Sequence, residues 1–315
     1  MSAALPAGLL AHWGLEGAPC RLVAHRENRV YAVQTPQGRA ALRLHRPGYH
    51  APAALQSELD FMAHLAAAGL RVPAPLPTGD GALLVSAGEP PVMADLLRWL
   101  EGEPLGRAGE PLPWADPAPL FHALGAALAR LHHAADAFDP PAGFSRPAWN
   151  EAGLLGEAPL WGRFWENPAL TAEERALLLR ARDAAHRALG AFAPRADYGL
   201  IHADAVRENV LVHEGAISLI DFDDCGYGFR LFDLATALHP NRAEPGFAEI
   251  EAALMEGYRH QRALGPEAEA ALGLFALLRA FTYVGWIMAR GDAPEARARN
   301  RRFIDRACAL ARDWA

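Results

Sequence analysis

The chain has 315 residues, 51% of them hydrophobic and 21% charged, which is enough apolar material to bury a sizeable core. A formal net charge of −7 and a pI near 6.0 exclude a protein whose main task is to grip nucleic acid or an anionic membrane, because both need a cationic surface. The N-terminus lacks a basic leader, no stretch reaches the ~18 uninterrupted apolar residues of a membrane span, and Cys20, Cys225 and Cys308 lie far apart, so a cytoplasmic protein is expected.

From Cys20 to Leu44, short runs of alternating apolar and polar residues separated by Glu27-Asn28 and Thr35-Pro36-Gln37-Gly38 predict a β-meander. Leu55, Leu59, Met62 and Leu65 recur at helical spacing, and Gly69 with Pro73 stops that helix. Thr78-Gly79-Asp80-Gly81 reads as a turn, with strands near 82–86 and 92–97. Beyond Pro117 the period is helical over 120–133, 171–192, 246–264, 266–290 and 293–314, and Thr171 with Glu174 forms a capping box for the second of these. Two short strands, 210–213 and 216–220, interrupt the helices. All 30 basic residues are arginine, since the chain holds no lysine.

The chemistry is concentrated in Ile201-His-Ala-Asp-Ala-Val-Arg-Glu-Asn, followed by Ser218-Leu-Ile-Asp-Phe-Asp-Asp. Phosphoryl transfer needs a carboxylate beside the attacking hydroxyl, a second carboxylate on the metal that bridges the phosphates, and an amide oxygen completing that metal site. Asp204 suits the first role, Asp221 the second and Asn209 the third, and Arg207 is placed to stabilise the reacting phosphate. A hydrolytic metal centre of His202, Asp204 and Asp221 is the competing reading, and it leaves Asn209 and the β-rich front without a task.

This HxDxxxxN, strand, IDFDD order, with Phe229-Arg-Leu-Phe-Asp233 downstream, resembles the aminoglycoside phosphotransferase and choline kinase superfamily. The closest likeness is to the bacterial branch with type II homoserine kinases and the stress-response Ser/Thr kinase. The resemblance implies an α+β, bilobal protein-kinase-like fold. Residues 1–96 would form an N-terminal antiparallel β-sheet lobe with one helix that binds nucleotide, and residues 97–315 a larger, mainly helical C-terminal lobe with the catalytic loop and acceptor site.

It also implies ATP and Mg2+ as cofactors. Asn28, in Asn28-Arg-Val-Tyr, matches a phosphate loop; Arg43 stands where many kinase-like proteins carry lysine, and Glu58 is its partner on the next helix. Leu97 and Trp99, near a W-x-x-G crossing, would line the base pocket, and Asp233 would support the loop. The expected partner is a small-molecule acceptor with a hydroxyl group, an amino alcohol, homoserine-like or aminoglycoside-like, bound by a monomer or homodimer. Trp161, Trp165, Tyr227, Tyr258, Tyr283 and Trp286 supply aromatic surface for a cationic acceptor, while Arg279 and Arg290, if they face the cleft, suit a carboxylate. A Ser/Thr protein kinase and a nucleotide-binding pseudokinase scaffold remain open alternatives.

Overall fold

A computed structural model describes residues 5–25, 28–290 and 294–315. The strands in chain order are β1 (Cys20–His25), β2 (Arg29–Thr35), β3 (Gly38–Leu44), β4 (Val85–Ala87), β5 (Val92–Arg98), β6 (Glu103–Pro104), β7 (Ala148–Trp149), β8 (Tyr198–Ile201), β9 (Val210–His213), β10 (Ala216–Leu219) and β11 (Gly226–Phe229). The helices are α1 (Pro52–Ala67), α2 (Ala118–Asp136), α3 (Glu151–Leu155), α4 (Ala172–Phe192), α5 (Arg230–Leu238), α6 (Phe247–Arg259), α7 (Pro266–Trp286) and α8 (Pro294–Ala311).

Two compact units divide the chain. The first holds residues up to Glu103 together with Ala137–Arg146 and Leu211–Asp223, and the second holds the rest. A single cut at residue 96 is therefore not how the chain is partitioned, because two later segments return to the first unit.

In the first unit β1 to β5 form an antiparallel sheet in the order β1-β2-β3-β5-β4. Period-two alternation gives it one apolar face, where Tyr31, Val33, Leu42, Leu44, Ala94 and Leu96 pack with Leu9. The helix α1, opened by Pro52 at its first position, buries Leu55, Leu59, Met62 and Leu65. Phe61 on its buried stripe meets Phe138 and Phe222, with ring centroids 5.5 and 6.3 Å apart, which ties the two returning segments to α1.

The second unit is mostly helical. Thr171 and Glu174 make the capping box that opens α4. α7 is surrounded by α5, α8 and α4; its stretch Pro266–Arg290 is, among the described residues, the one helix long and apolar enough to cross a membrane, and 67% of its most apolar 18 residues are buried. α2 and α6 cross at glycines: a Cβ on Gly125 would sit 2.0 Å from the Leu254 carbonyl oxygen, and one on Gly257 1.9 Å from that of His122. That close crossing brings Tyr258 of α6 against His132 of α2, and a small sheet in the order β7-β11-β8 carries the chain into the loop after β8.

Candidate active site

In the first unit, Leu42 and Leu44 point into the apolar face of the sheet, so Arg43 between them emerges on the other face. Its Nη1 donates to Glu58 Oε1 at 2.7 Å, while Nε and Nη2 each donate to Asp95 at 2.9 Å. The Arg43 side chain is 7% exposed and both acids are 0% exposed. Burial opposes every one of these charges, yet Asp95 and Glu58 hold the Arg43 guanidinium pKa well above its ordinary value, and Arg43 holds both carboxyls below theirs.

Asp223 behaves differently. Its Oδ1 lies 3.7 Å from Arg43 Nη1, but burial and the like charge of Glu58 push its carboxyl up to about 6. Asn28 Nδ2 donates to Asp223 Oδ2 at 2.9 Å, and Asn28 Oδ1 accepts the Arg46 amide at 3.3 Å. Asn28 thus fastens the start of β2 to the segment after β10; Glu27 lies outside the described residues. Arg146 straps the same segment, donating to the carbonyls of Phe222, Asp223 and Ala54. Asp221 is exposed with a left-handed φ of 66°. Leu97 is buried opposite Ala41, and Trp99 lies under the Arg39 guanidinium, 4.8 Å from the ring centroid, so neither belongs to the Arg43 cluster.

In the second unit the loop after β8 is held from below. Asp233 accepts the His202 amide at 2.9 Å and the Ala203 amide at 2.6 Å, and His132 Nε2 donates to the same carboxylate at 3.0 Å. Tyr258 in turn donates to His132 Nδ1 at 2.8 Å. These bonds keep Ala203 in a left-handed conformation, φ 65°, which costs an alanine about 1 kcal/mol and persists only because the surroundings enforce it. His202 Nδ1 accepts the Asp204 amide at 3.2 Å, so the imidazole orients the loop.

Asp204 is 22% exposed, and both its oxygens are fixed: Oδ1 accepts Arg279 Nη2 at 2.5 Å and Oδ2 accepts Asn209 Nδ2 at 2.9 Å. Because Asn209 spends its amide donor on Asp204, its carbonyl oxygen is the atom left for a cation. Arg207 is committed elsewhere. Its guanidinium bonds Glu244 at 2.5 Å, Glu110 O at 2.7 Å and Asn241 Oδ1 at 2.8 Å, which makes it a brace beneath the loop rather than a free phosphate ligand.

Arg279 corrects the expectation attached to it. Its side chain is 0% exposed, so it does not wait in a cleft for a carboxylate; it has one already in Asp204. The rings of Tyr283, Trp161 and Phe232 surround its guanidinium carbon at 4.4, 5.1 and 5.7 Å. Arg290 lies 4.0 Å over Trp286 and Arg182 4.1 Å over Trp165. Much of the aromatic surface that suggested a cationic acceptor is taken by the protein's own arginines.

Among the described residues no cluster of three or more His, Cys, Asp or Glu is arranged to hold a metal by itself. Magnesium takes one or two carboxylates and draws its other ligands from water and substrate phosphates, so it does not call for such a cluster. Asn209 in the second unit and Asp221 in the first each carry an oxygen donor of the right hardness for it. Sequence reasoning missed Asp95, His45 and Arg146; the findable signal was a lone acid inside the apolar run of β5.

A sequence model of the phosphotransferase enzyme family matches residues 20–272. A homoserine kinase of Acidiphilium cryptum is 31% identical over 87% of this chain and 84% of its own length. The structure of a microcompartment-associated aminopropanol kinase superposes with a TM-score of 0.83 at 32% identity, covering 97% of this chain and 95% of that one. An amicoumacin kinase in complex with AMP-PNP and Ca2+ shares the fold, with a TM-score of 0.76 at 21% identity over 96% of this chain and 91% of that one.

Proposed function

Because the chain belongs to the phosphotransferase enzyme family and is a kinase-type phosphotransferase, we propose that it moves the γ-phosphate of ATP, with magnesium, to the hydroxyl of a short amino alcohol. The observation that carries this reading is Asp204: a partly exposed carboxylate on a strained, fully braced loop, with its two oxygens oriented by Arg279 and Asn209. A group held so tightly is built to orient a small hydroxyl, and orientation supplies much of the rate in phosphoryl transfer.

In this reading Asp204 accepts the hydrogen bond of the acceptor hydroxyl and takes its proton as the new P–O bond forms and the bond from the γ-phosphorus to the departing ADP breaks. The transition state is loose, so little basicity is asked of the accepting group. Asn209 of the second unit and Asp221 of the first would each offer an oxygen ligand to magnesium, which when bound would offset the charge of the phosphates. Arg43 presents its remaining N–H groups to phosphate oxygens, and Asn28 fixes the turn over them. Magnesium and ATP are supported by the family and by the ATP analogue and divalent cation bound to the amicoumacin kinase.

The acceptor class rests on what two relatives share. Aminopropanol and homoserine are both short chains with one hydroxyl and one amine. The test is ADP release by the purified protein with MgATP across aminopropanol, ethanolamine, homoserine, choline and an aminocyclitol. Turnover is expected with one of the short primary amino alcohols and is expected to vanish in Asp204→Asn. Absence of ATP binding in excess magnesium, or turnover untouched by Asp204→Asn, would falsify the reading.

A further inference from the structure

β3 and β5 are antiparallel neighbours whose register sets Arg43 directly opposite Asp95. The residues flanking Asp95, Ala94 and Leu96, belong to the apolar face, so Asp95 shares the other face with Arg43 and His45. It is 0% exposed, on an inner strand, and a lone carboxylate there is strongly unfavourable unless it is paired and hydrogen-bonded. A lysine at position 43 would bring its three N–H groups on one terminal atom, within reach of Glu58 on α1 and a bound phosphate, and none at the level of Nε where Asp95 bonds.

Arginine is different in kind. A guanidinium carries five N–H groups in one plane, and Nε–H has no counterpart in lysine. In a side chain 7% exposed, an unpartnered N–H is costly. Glu58 engages Nη1 only; Asp95 takes both Nε and Nη2 in a bidentate grip, and is itself held by His45 Nε2, which donates to its Oδ2 at 2.6 Å. The grip fixes the guanidinium plane. It leaves one N–H on each terminal nitrogen, with Nη1 turned to within 3.7 Å of Asp223.

We propose that Asp95 is the positioning residue that adapts this site to arginine: it takes up the N–H groups that lysine would not bring and sets the guanidinium plane so that Nη1 and Nη2 each keep one N–H for a nucleotide phosphate. The proposal rests on the kinase reading above for its function and on the pairing geometry for its chemistry. It ties two substitutions together. Arg43→Lys leaves Asp95 under-paired, since an ammonium lacks the fork. Asp95→Asn places an amide donor against arginine donors, yet its oxygen still serves His45 and its charge is no longer a burden beside a lysine.

The experiment is a double-mutant cycle on the full chain with R43K, D95N and R43K/D95N, read as kcat/KM for ATP, KM for the acceptor and Tm. Each single variant is expected to lose about 30-fold in kcat/KM for ATP, the effect of one or two mispaired buried donors, with the acceptor KM unchanged. The double variant is expected to recover to within about threefold of wild type, far from the product of the two losses. A purely structural ion pair would not confine the loss to the nucleotide side. The comparison of R43K with R43K/D95N stands even if D95N alone does not fold. The proposal is overturned if D95N fails to improve R43K in either activity or Tm, or if the two losses multiply. Were wild type to turn over no acceptor at all, the kinase reading would fall, and the Tm cycle would still decide the arginine-specific pairing by itself.

Discussion

Arg43 in the first unit and Arg279 in the second are both buried, and the two are neutralised by different means. Arg43 lies among carboxylates, with Asp95 and Glu58 bonded to it and Asp223 close by. Arg279 has one carboxylate, Asp204, and an enclosure of Trp161, Phe232 and Tyr283 rings. Among the described residues no second acid bonds Arg279. Ring faces can solvate a cation without adding charge, so they leave Asp204 as an unshared carboxylate, while the acids around Arg43 surround it with negative charge of the kind a divalent cation offsets. The contrast teaches that the first arginine is set up to meet more charge and the second to hold one group still.

Asp204→Asn probes the contrast with the largest effect. Turnover is expected to fall by about a thousandfold or more, from loss of both orientation and proton acceptance. Tm is expected to fall as well, because Arg279 is left as a buried charge with rings but no anion. Asp95→Asn leaves Arg43 with Glu58, and its Tm loss is expected to be smaller. Equal losses would break the comparison.

Arg279→Lys comes next, at about a hundredfold in kcat, as expected when a reacting group is misplaced by a fraction of an ångström to one ångström. An ammonium still enjoys the rings, but it cannot reach Asp204, Tyr283 and the Ala203 carbonyl together as the guanidinium does. The KM for ATP should not move. Trp161→Leu is smaller again, about tenfold in kcat, since one ring face contributes on the order of 1 kcal/mol to a desolvated cation. If Trp161→Leu instead raised the KM of a cationic acceptor with kcat unchanged, the ring would belong to the substrate, and the enclosure would be open rather than filled.

The meander, α1, the Arg43–Glu58 pair and the Asp204–Asn209 loop were legible because each is local or follows a spacing that chemistry dictates. Asp95 was not legible as a partner: it stands inside an apolar strand, and only the register of β3 against β5 sets it across from Arg43. Arg279 was visible but its destination was not, since helical periodicity says which face of α7 is buried and nothing about a loop 75 residues earlier. Short elements such as β7, β11 and α3 hold too few residues for a period to show. Arg207 misled for the opposite reason: its position in the loop suggested phosphate, while Glu244 and Asn241, far along the chain, claim it.

The smallest expected effect is on stability against pH, and it too separates the regions. Burial lowers the pKa of His132 and lowers that of His239 well below its ordinary 6.5, with Arg230 adding to the first and Arg306 and Arg279 to the second, while Asp233 opposes the shift at His132. Both rings are neutral in the fold, so the unfolded chain binds more protons below pH 6.5, and stability present above that value is lost as the pH falls toward the folded values. Among the described residues the first unit has one similarly shifted ring, His50, which is only half-buried; its buried Asp95 and Glu58 have lowered pKa values that hold their contribution until the pH passes below their ordinary 3.8 and 4.5, and its Asp223, pushed up to about 6, takes up a proton in the fold and so gains stability as the pH falls. Between pH 7 and 5.5 the fall in Tm should therefore come mainly from the region of Arg279, and His239→Asn should flatten it by removing the ring that the Arg279 charge helps to keep neutral. An unchanged slope in that variant would show that His239 can take a proton inside the fold at little cost to stability.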